Sequence, residues 1–103
     1  MTGDEQGMLE GRCALVTGSV AGLGYALAEG LAARGANVVL NGICAPEDGR
    51  TAADRLAADH GVRTVFDPAD LSDAGQIEAM IGRATERFGA MDIVVNNAVV
   101  RHF

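Results

Sequence analysis

Short apolar runs alternate with longer stretches of helical periodicity along this chain. Cys13–Val16 is the first run, with the size and flanks of a buried strand. Behind the glycines that follow, Leu23, Ala26, Leu27, Gly30 and Leu31 recur at steps of three and four. That spacing places them on one face of a helix running to about Arg34, and Gly35 past a basic last turn is a stop signal. Residues 37–40 form a second, β-branched run ended by Asn41-Gly42. That dipeptide is also a hairpin signal, but Ala45-Pro46-Glu47-Asp48-Gly49 behind it has loop and helix-start chemistry. The pattern then predicts an alanine-rich helix over 51–60 closed by Gly61, and a third strand over 62–66 ended by Asp67-Pro68. Asp70-Leu71-Ser72-Asp73 leads into a third helix, with Ser72 or Asp73 as its N-cap. Ile77, Met80, Ile81, Ala84 and Phe88 supply its apolar stripe and Gly89 its stop, and Ile93–Val95 is a fourth strand ending in Asn96-Asn97-Ala98.

Strands alternating with helices in the order β-α-β-α-β-α-β predict a parallel α/β sheet with right-handed crossovers. The doubly wound arrangement gives the spatial strand order 3-2-1-4. The first two helices then cover one face and the third covers the other, leaving strand four with an open edge. Such a sheet exposes apolar surface, so the chain reads as the first half of a larger domain. Residues 1–10 read as a disordered polar leader and residues 11–103 as the folded part.

Composition narrows the partners. Hydrophobic residues make up 49% of the 103 residues and glycine contributes 14, which suits tightly packed helices on a sheet. Aromatic content is 4% with no tryptophan, so a stacking surface for single-stranded nucleic acid is not expected. A net charge of −6 with scattered basic residues argues against any polyanion partner. The N-terminus lacks the basic start and apolar stretch of a signal peptide, and no run has the length of a membrane span. Cys13 and Cys44 fall at opposite ends of parallel neighbours, beyond the ~7 Å reach of a disulfide. Cys13 reads as a small buried hydrophobe, and a reducing cytoplasm fits the whole. No metal-ligand cluster stands out.

Chemistry concentrates in Thr17-Gly18-Ser19-Val20-Ala21-Gly22-Leu23-Gly24. Strand, glycine-rich turn and helix together present free N–H groups and a positive dipole end to a phosphate. Gly18 lets the chain turn off the strand, Gly22 permits backbone approach to a pyrophosphate, and Gly24 lets the helix pack closely. Leu23 and Gly24 offer helix N-terminal N–H groups, and Ser19 offers a hydroxyl that caps the helix or bonds a phosphate. A plain glycine-rich turn is the bland alternative.

The Thr-Gly-x-x-x-Gly-x-Gly spacing of residues 17–24 resembles the short-chain dehydrogenase/reductase family, as do Asp70-Leu71 after strand three and Asn96-Asn97-Ala98 after strand four. The resemblance runs from about Gly11 to Phe103. It implies a Rossmann-type fold of which this chain holds the first half. Asp70 is then expected to accept the adenine amino group with the Leu71 backbone nearby, unless it is only a helix-start aspartate. Asn97, beside Ala98, is expected to reach the adenosine ribose or to hold the neighbouring turn, and an Asx-turn closing the strand is its bland reading. The acid that binds the ribose 2′-OH in such sites is replaced here by Gly42. Glu47 and Asp48 come several residues late as substitutes, and no Arg or Lys stands at 19–21 or 41–46 for a 2′-phosphate. NAD is therefore favoured over NADP, with Asn41 at the ribose hydroxyls and Ile43 against the adenine.

Within the family, Asn41-Gly42, Pro68-Ala69-Asp70-Leu71-Ser72 and His102 look most like the 3-hydroxybutyrate dehydrogenases. That likeness implies hydride transfer between NAD and a short 3-hydroxy acid, in a homo-oligomer. Val99 departs from the family's glycine after Asn-Asn-Ala. His102 is placed to reach a substrate carboxylate or is merely solvated, and His60 suits a helix C-terminus. The family's chemistry needs a serine and a Tyr-x-x-x-Lys pair. Tyr25 is the one tyrosine and lysine is absent, so this stretch reads as the N-terminal part of a dehydrogenase. The alternative from another class is a truncated, non-catalytic module that binds nucleotide weakly or pairs across strand four.

Overall fold

The computed structural model describes residues 7–98. Its elements are β1 (Cys13–Val16), α1 (Gly22–Ala33), β2 (Asn37–Asn41), α2 (Pro46–His60), β3 (Thr64–Asp67), α3 (Ala74–Phe88) and β4 (Ile93–Val95). The strands form one parallel sheet in the order β3-β2-β1-β4. In register, Val16 pairs with Leu40 and with Val95, and Leu40 pairs with Phe66. The carboxyl ends of all four strands therefore share one edge of the sheet. This is the Rossmann-like α/β arrangement expected from the sequence.

Alternation along the strands sorts the core onto two faces. Val16, Val38 and Leu40 face α1 and α2, meeting Tyr25, Ala28 and Leu56. Cys13, Leu15 and Val39 face α3, meeting Met80 and Ala84. The helices stop as glycine dictates: Gly61 and Gly89 take left-handed C-terminal positions. Asp73, not Ser72, caps α3 by accepting from the Gly75 and Gln76 N–H groups.

Four details differ from the sequence pattern. α2 begins at Pro46, five residues before the alanine-rich segment, because proline at N1 and acids in the first turn start it there. β3 spans Thr64–Asp67, starting two residues later and ending one later than its apolar run. The face of α1 turned to the sheet is Gly24, Tyr25, Ala28 and Ala32, whereas Leu23 is 70% exposed and Leu27 38%. Finally, residues 7–11 form a turn whose Leu9 N–H donates to Arg34 O at 2.8 Å, so the described part of the leader is docked on the end of α1. Residues 1–6 lie outside the described ones.

Both cysteines are free. Burial, and after it the Asp92 carboxylate, push the Cys13 thiol up to about 11. A group with a raised native value stabilises the fold fully below its unfolded value of about 8.5, and that contribution is lost as pH rises through about 11. At pH 8 a thiol reagent is expected to label Cys44 promptly and Cys13 only after denaturation. Counting labels by mass checks this, and prompt double labelling would contradict the buried placement.

Candidate functional site

The glycine turn is assembled by hydrogen bonds from two neighbouring strand ends. Thr17 is buried behind β1, and its N–H donates to Val95 O at 3.0 Å. Its Oγ1 accepts the N–H groups of Asn97 at 2.9 Å and Ala98 at 3.1 Å. The Asn97 side-chain amide donates to Gly18 O at 3.1 Å. Asn97 thus clamps the turn to the end of β4. Gly18 adopts φ +60°, and an added Cβ would stand 3.0 Å from Ala98 Cα, so its glycine serves both the turn and the contact with Ala98.

From the other side the turn is held by β2. Ser19 N–H donates to Asn41 O at 2.8 Å. The Ser19 hydroxyl donates to Val16 O at 2.6 Å and accepts the Asn41 N–H at 3.0 Å. That hydroxyl therefore neither caps α1 nor points outward. It is fully buried and spent on the backbone. Asn41 is corrected in the same way. Its side chain, 1% exposed, donates to Asp67 O and Ala69 O, each at 3.0 Å, and accepts the Gly18 N–H at 3.4 Å. A group so engaged cannot also reach a ribose hydroxyl; it joins the ends of β1, β2 and β3.

The loop behind β3 is anchored by a pair that the sequence pattern did not single out. Asp67 Oδ1 accepts the Ala69 N–H at 3.0 Å, and the carboxylate takes both Nε (2.8 Å) and Nη2 (2.9 Å) of Arg83. Sixteen residues separate the two in sequence, and no local signal announces the pairing. Asp70 Oδ1 accepts the Ser72 N–H at 2.9 Å and hydroxyl at 2.7 Å, which hold its exposed carboxyl below the usual range. Leu71 packs its side chain toward the core under α3. Leu23 and Ile43 (75% exposed) present apolar side chains at the carboxyl edge. Val99 and His102 lie outside the described residues.

The electrostatics single out α1. First-turn N–H groups lack intrahelical partners, and here no side chain caps them and no acid stands in the first turn. α3 has its Asp73 cap, and α2 carries Glu47 and Asp48. Gly22 sits at φ +63° with open space where a Cβ would stand, while a Cβ on Gly24 would run into the Gly18 carbonyl. An uncapped helix end behind an unobstructed glycine is suited to an anion. A cavity of about 660 Å³ lies elsewhere, between α3 and the β2–β3 face, walled by Val39, Val65 and Arg87 among others. It meets the site only at Asp67, Pro68 and Arg83. Among the described residues no group of His, Cys, Asp or Glu could hold a metal, and no described helix is long and apolar enough to cross a membrane.

A family model described as short chain dehydrogenase matches residues 12–103. The chain is 43% identical over 95 residues to a D-beta-hydroxybutyrate dehydrogenase of Cupriavidus necator, covering 92% of this chain and 36% of that protein. It is 42% identical over 90 residues to the Rhizobium meliloti protein of the same name, covering 87% of this chain and 35% of that one. Among solved structures, L-sorbose reductase from Gluconobacter frateurii, complexed with NADPH and L-sorbose, superposes with a TM-score of 0.85 at 34% identity. That match covers 93% of this chain and 36% of the reductase. The chain thus spans about a third of the length of these relatives.

Proposed function

The chain belongs to the short-chain dehydrogenase family, and on that premise we propose that it is the cofactor-binding first part of an NAD-dependent oxidoreductase acting on a short 3-hydroxy acid. The observation that carries the reading is the uncapped, acid-free N-terminus of α1 behind Gly22, whose missing side chain leaves the approach open. The residues fit a dinucleotide. Gly18, Gly22, Leu23 and Gly24 offer backbone to the pyrophosphate, and Ser19 and Asn41 hold that backbone in place. Asp70 keeps its Oδ2 free of the Ser72 bonds for an amino group, beside the Leu71 backbone. Ile43 gives an apolar surface for the adenine, and Asn97 with Ala98 closes the turn on the ribose side. When bound, NAD supplies the hydride acceptor.

NAD is preferred to NADP because neither Val20, Ala21 nor residues 42–46 offer a cation to a 2′-phosphate. The substrate class is supported by identity to two proteins named D-beta-hydroxybutyrate dehydrogenase. The free cysteines suit a reducing cytoplasm, and the parent protein is taken to act as a homo-oligomer on a small molecule, with neither nucleic acid nor membrane as partner.

Titrating the protein with NADH and following nucleotide fluorescence tests the cofactor reading, and saturable binding is expected. Absence of binding would overturn it. Turnover of NAD with 3-hydroxybutyrate by the full-length protein tests the substrate class separately, and activity on unrelated alcohols alone would remove that assignment.

A further inference from the structure

On the dinucleotide reading above, the geometry points to Arg83 as a positioning residue for the adenine end of the site. Acting through Asp67, it sets the loop 67–71 so that the free oxygen of Asp70 meets the adenine amino group. A surface ion pair by itself contributes little, and the Arg83 side chain is 57% exposed. Its partner is a different case. The Asp67 side chain is 9% exposed, and it takes the guanidinium as a fork, with Nε at 2.8 Å from one oxygen and Nη2 at 2.9 Å from the other. Such a fork fixes direction as well as charge. The oxygen that receives Nη2 also accepts the Ala69 N–H at 3.0 Å. The carboxylate orientation that suits Arg83 therefore bends the chain at the residue before Asp70.

α3 grips the same loop a second time. Gln76 Oε1 accepts the Asp70 N–H at 2.9 Å, and the Asp73 N–H donates to Asp70 O at 3.1 Å. Gln76 and Arg83 stand about two helical turns apart, with the buried Met80 between them on one face. On its inner side the loop is tied to β2 by Asn41, whose amide donates to Asp67 O and Ala69 O. Those bonds go to main-chain carbonyls and leave the Asp67 carboxylate free to turn; Arg83 is what stops it. Without the guanidinium, the carboxylate keeps only the Ala69 N–H among the described residues, and turning it toward water opens the bend that presents Asp70.

Reduced nicotinamide hypoxanthine dinucleotide is the probe, because a carbonyl replaces the adenine amino group and would face the Asp70 carboxylate. Dissociation constants for NADH and for this analogue are measured by nucleotide fluorescence on the parent protein and its variants. The parent is expected to prefer NADH about tenfold, the worth of one hydrogen bond to a charged group. Arg83→Gln should cut that preference to about twofold, weakening NADH and leaving the analogue nearly unchanged. Arg87→Gln is the control: Arg87 stands one turn further along α3, and its side chain makes no hydrogen bond or ion pair among the described residues. It should keep the full preference. Asp67→Asn should lower the preference as Arg83→Gln does, and the double variant no further, since the two residues act as a unit. Equal weakening of both nucleotides by Arg83→Gln would mean general support of the fold and overturns the assignment. An unchanged preference, a loss shared by Arg87→Gln, or losses that add in the double variant overturn it as well. A parent that binds both nucleotides equally removes the contact between Asp70 and the amino group, and this inference with it. Binding of neither by the parent overturns the dinucleotide reading itself.

Discussion

Gly24→Ala is expected to destabilise the fold by about 2–4 kcal/mol and to abolish dinucleotide binding, although it adds a single methyl to a helix. Alanine favours a helix over glycine by about 0.8–1.0 kcal/mol in an unconstrained interior, so propensity alone predicts a gain. Packing reverses the sign. The added Cβ would run into the Gly18 carbonyl oxygen, and would also stand 2.8 Å from the Gly18 carbonyl carbon and 2.7 Å from Asn97 Nδ2. Two of those atoms are backbone, and the third is the amide that clamps the turn at 3.1 Å. The backbone atoms cannot rotate away, and the amide can do so only by giving up its bond to Gly18 O, so α1 must slide off the turn or the turn must unfold. Overpacking into rigid surroundings costs about 1–3 kcal/mol or more, and the displaced N–H groups are those proposed to meet the pyrophosphate.

Two other glycines make the experiment specific. At Gly30, in the same helix, the nearest atom to an added Cβ is the flexible end of Arg34 at 4.0 Å, so Gly30→Ala should be neutral or slightly stabilising. At Gly22 no atom would lie within 4 Å, but φ is +63°, and Gly22→Ala should cost about 1–2 kcal/mol from the left-handed backbone alone. Denaturant midpoints and NADH titrations of the three variants check the order. Gly24→Ala behaving like Gly30→Ala would refute the close packing of α1 on the turn.

These contrasts also mark what the sequence could disclose. Strand order follows from the alternation of strands and helices, and helix stops and strand ends follow from local punctuation, because glycine, proline and asparagine act on their own backbone. The face of α1 does not. Counting bulky aliphatic residues selects Leu23, Leu27 and Leu31, but the helix is drawn onto the glycine turn and the sheet by small residues, with Tyr25 the one large side chain on the buried face. Gly24, Ala28 and Ala32 are therefore buried, and the leucines Leu23 and Leu27 are left outside. The same limit applies to side-chain chemistry. Ser19 and Asn41 look like ligand-facing polar groups because they stand among glycines at strand ends. Their actual partners are backbone atoms: Val16 O for the Ser19 hydroxyl, three residues back, and otherwise groups at the ends of neighbouring strands, 22 to 28 residues away in sequence, which only the register of β1, β2 and β3 brings together. Thr17 was legible as part of the motif, whereas its work in binding the Asn97 and Ala98 N–H groups was not.

Asn41→Leu puts that last class of residue to the test, with an expected loss of about 3–5 kcal/mol. Leucine has similar bulk, so the effect isolates hydrogen bonding in a position 1% exposed. Three partners lose their bonds: the carbonyls of Asp67 and Ala69, and the Gly18 N–H. Each buried group left unsatisfied costs about 1–3 kcal/mol, and leucine burial returns part of the sum. The Gly18 bond is long at 3.4 Å and should contribute least. Function should fall further than stability, since one side chain ties the glycine turn to the loop that carries Asp70 and Leu71. NADH affinity is therefore expected to drop at denaturant-free conditions where the variant is still folded, and amide exchange should accelerate at Ser19 and Ala69 together, because the two loops share the anchor. Were Asn41 instead a ribose ligand with its side chain turned outward, Asn41→Leu would weaken nucleotide binding while leaving the denaturation midpoint and both exchange rates unchanged. The two outcomes separate a residue that builds the site from one that touches the ligand.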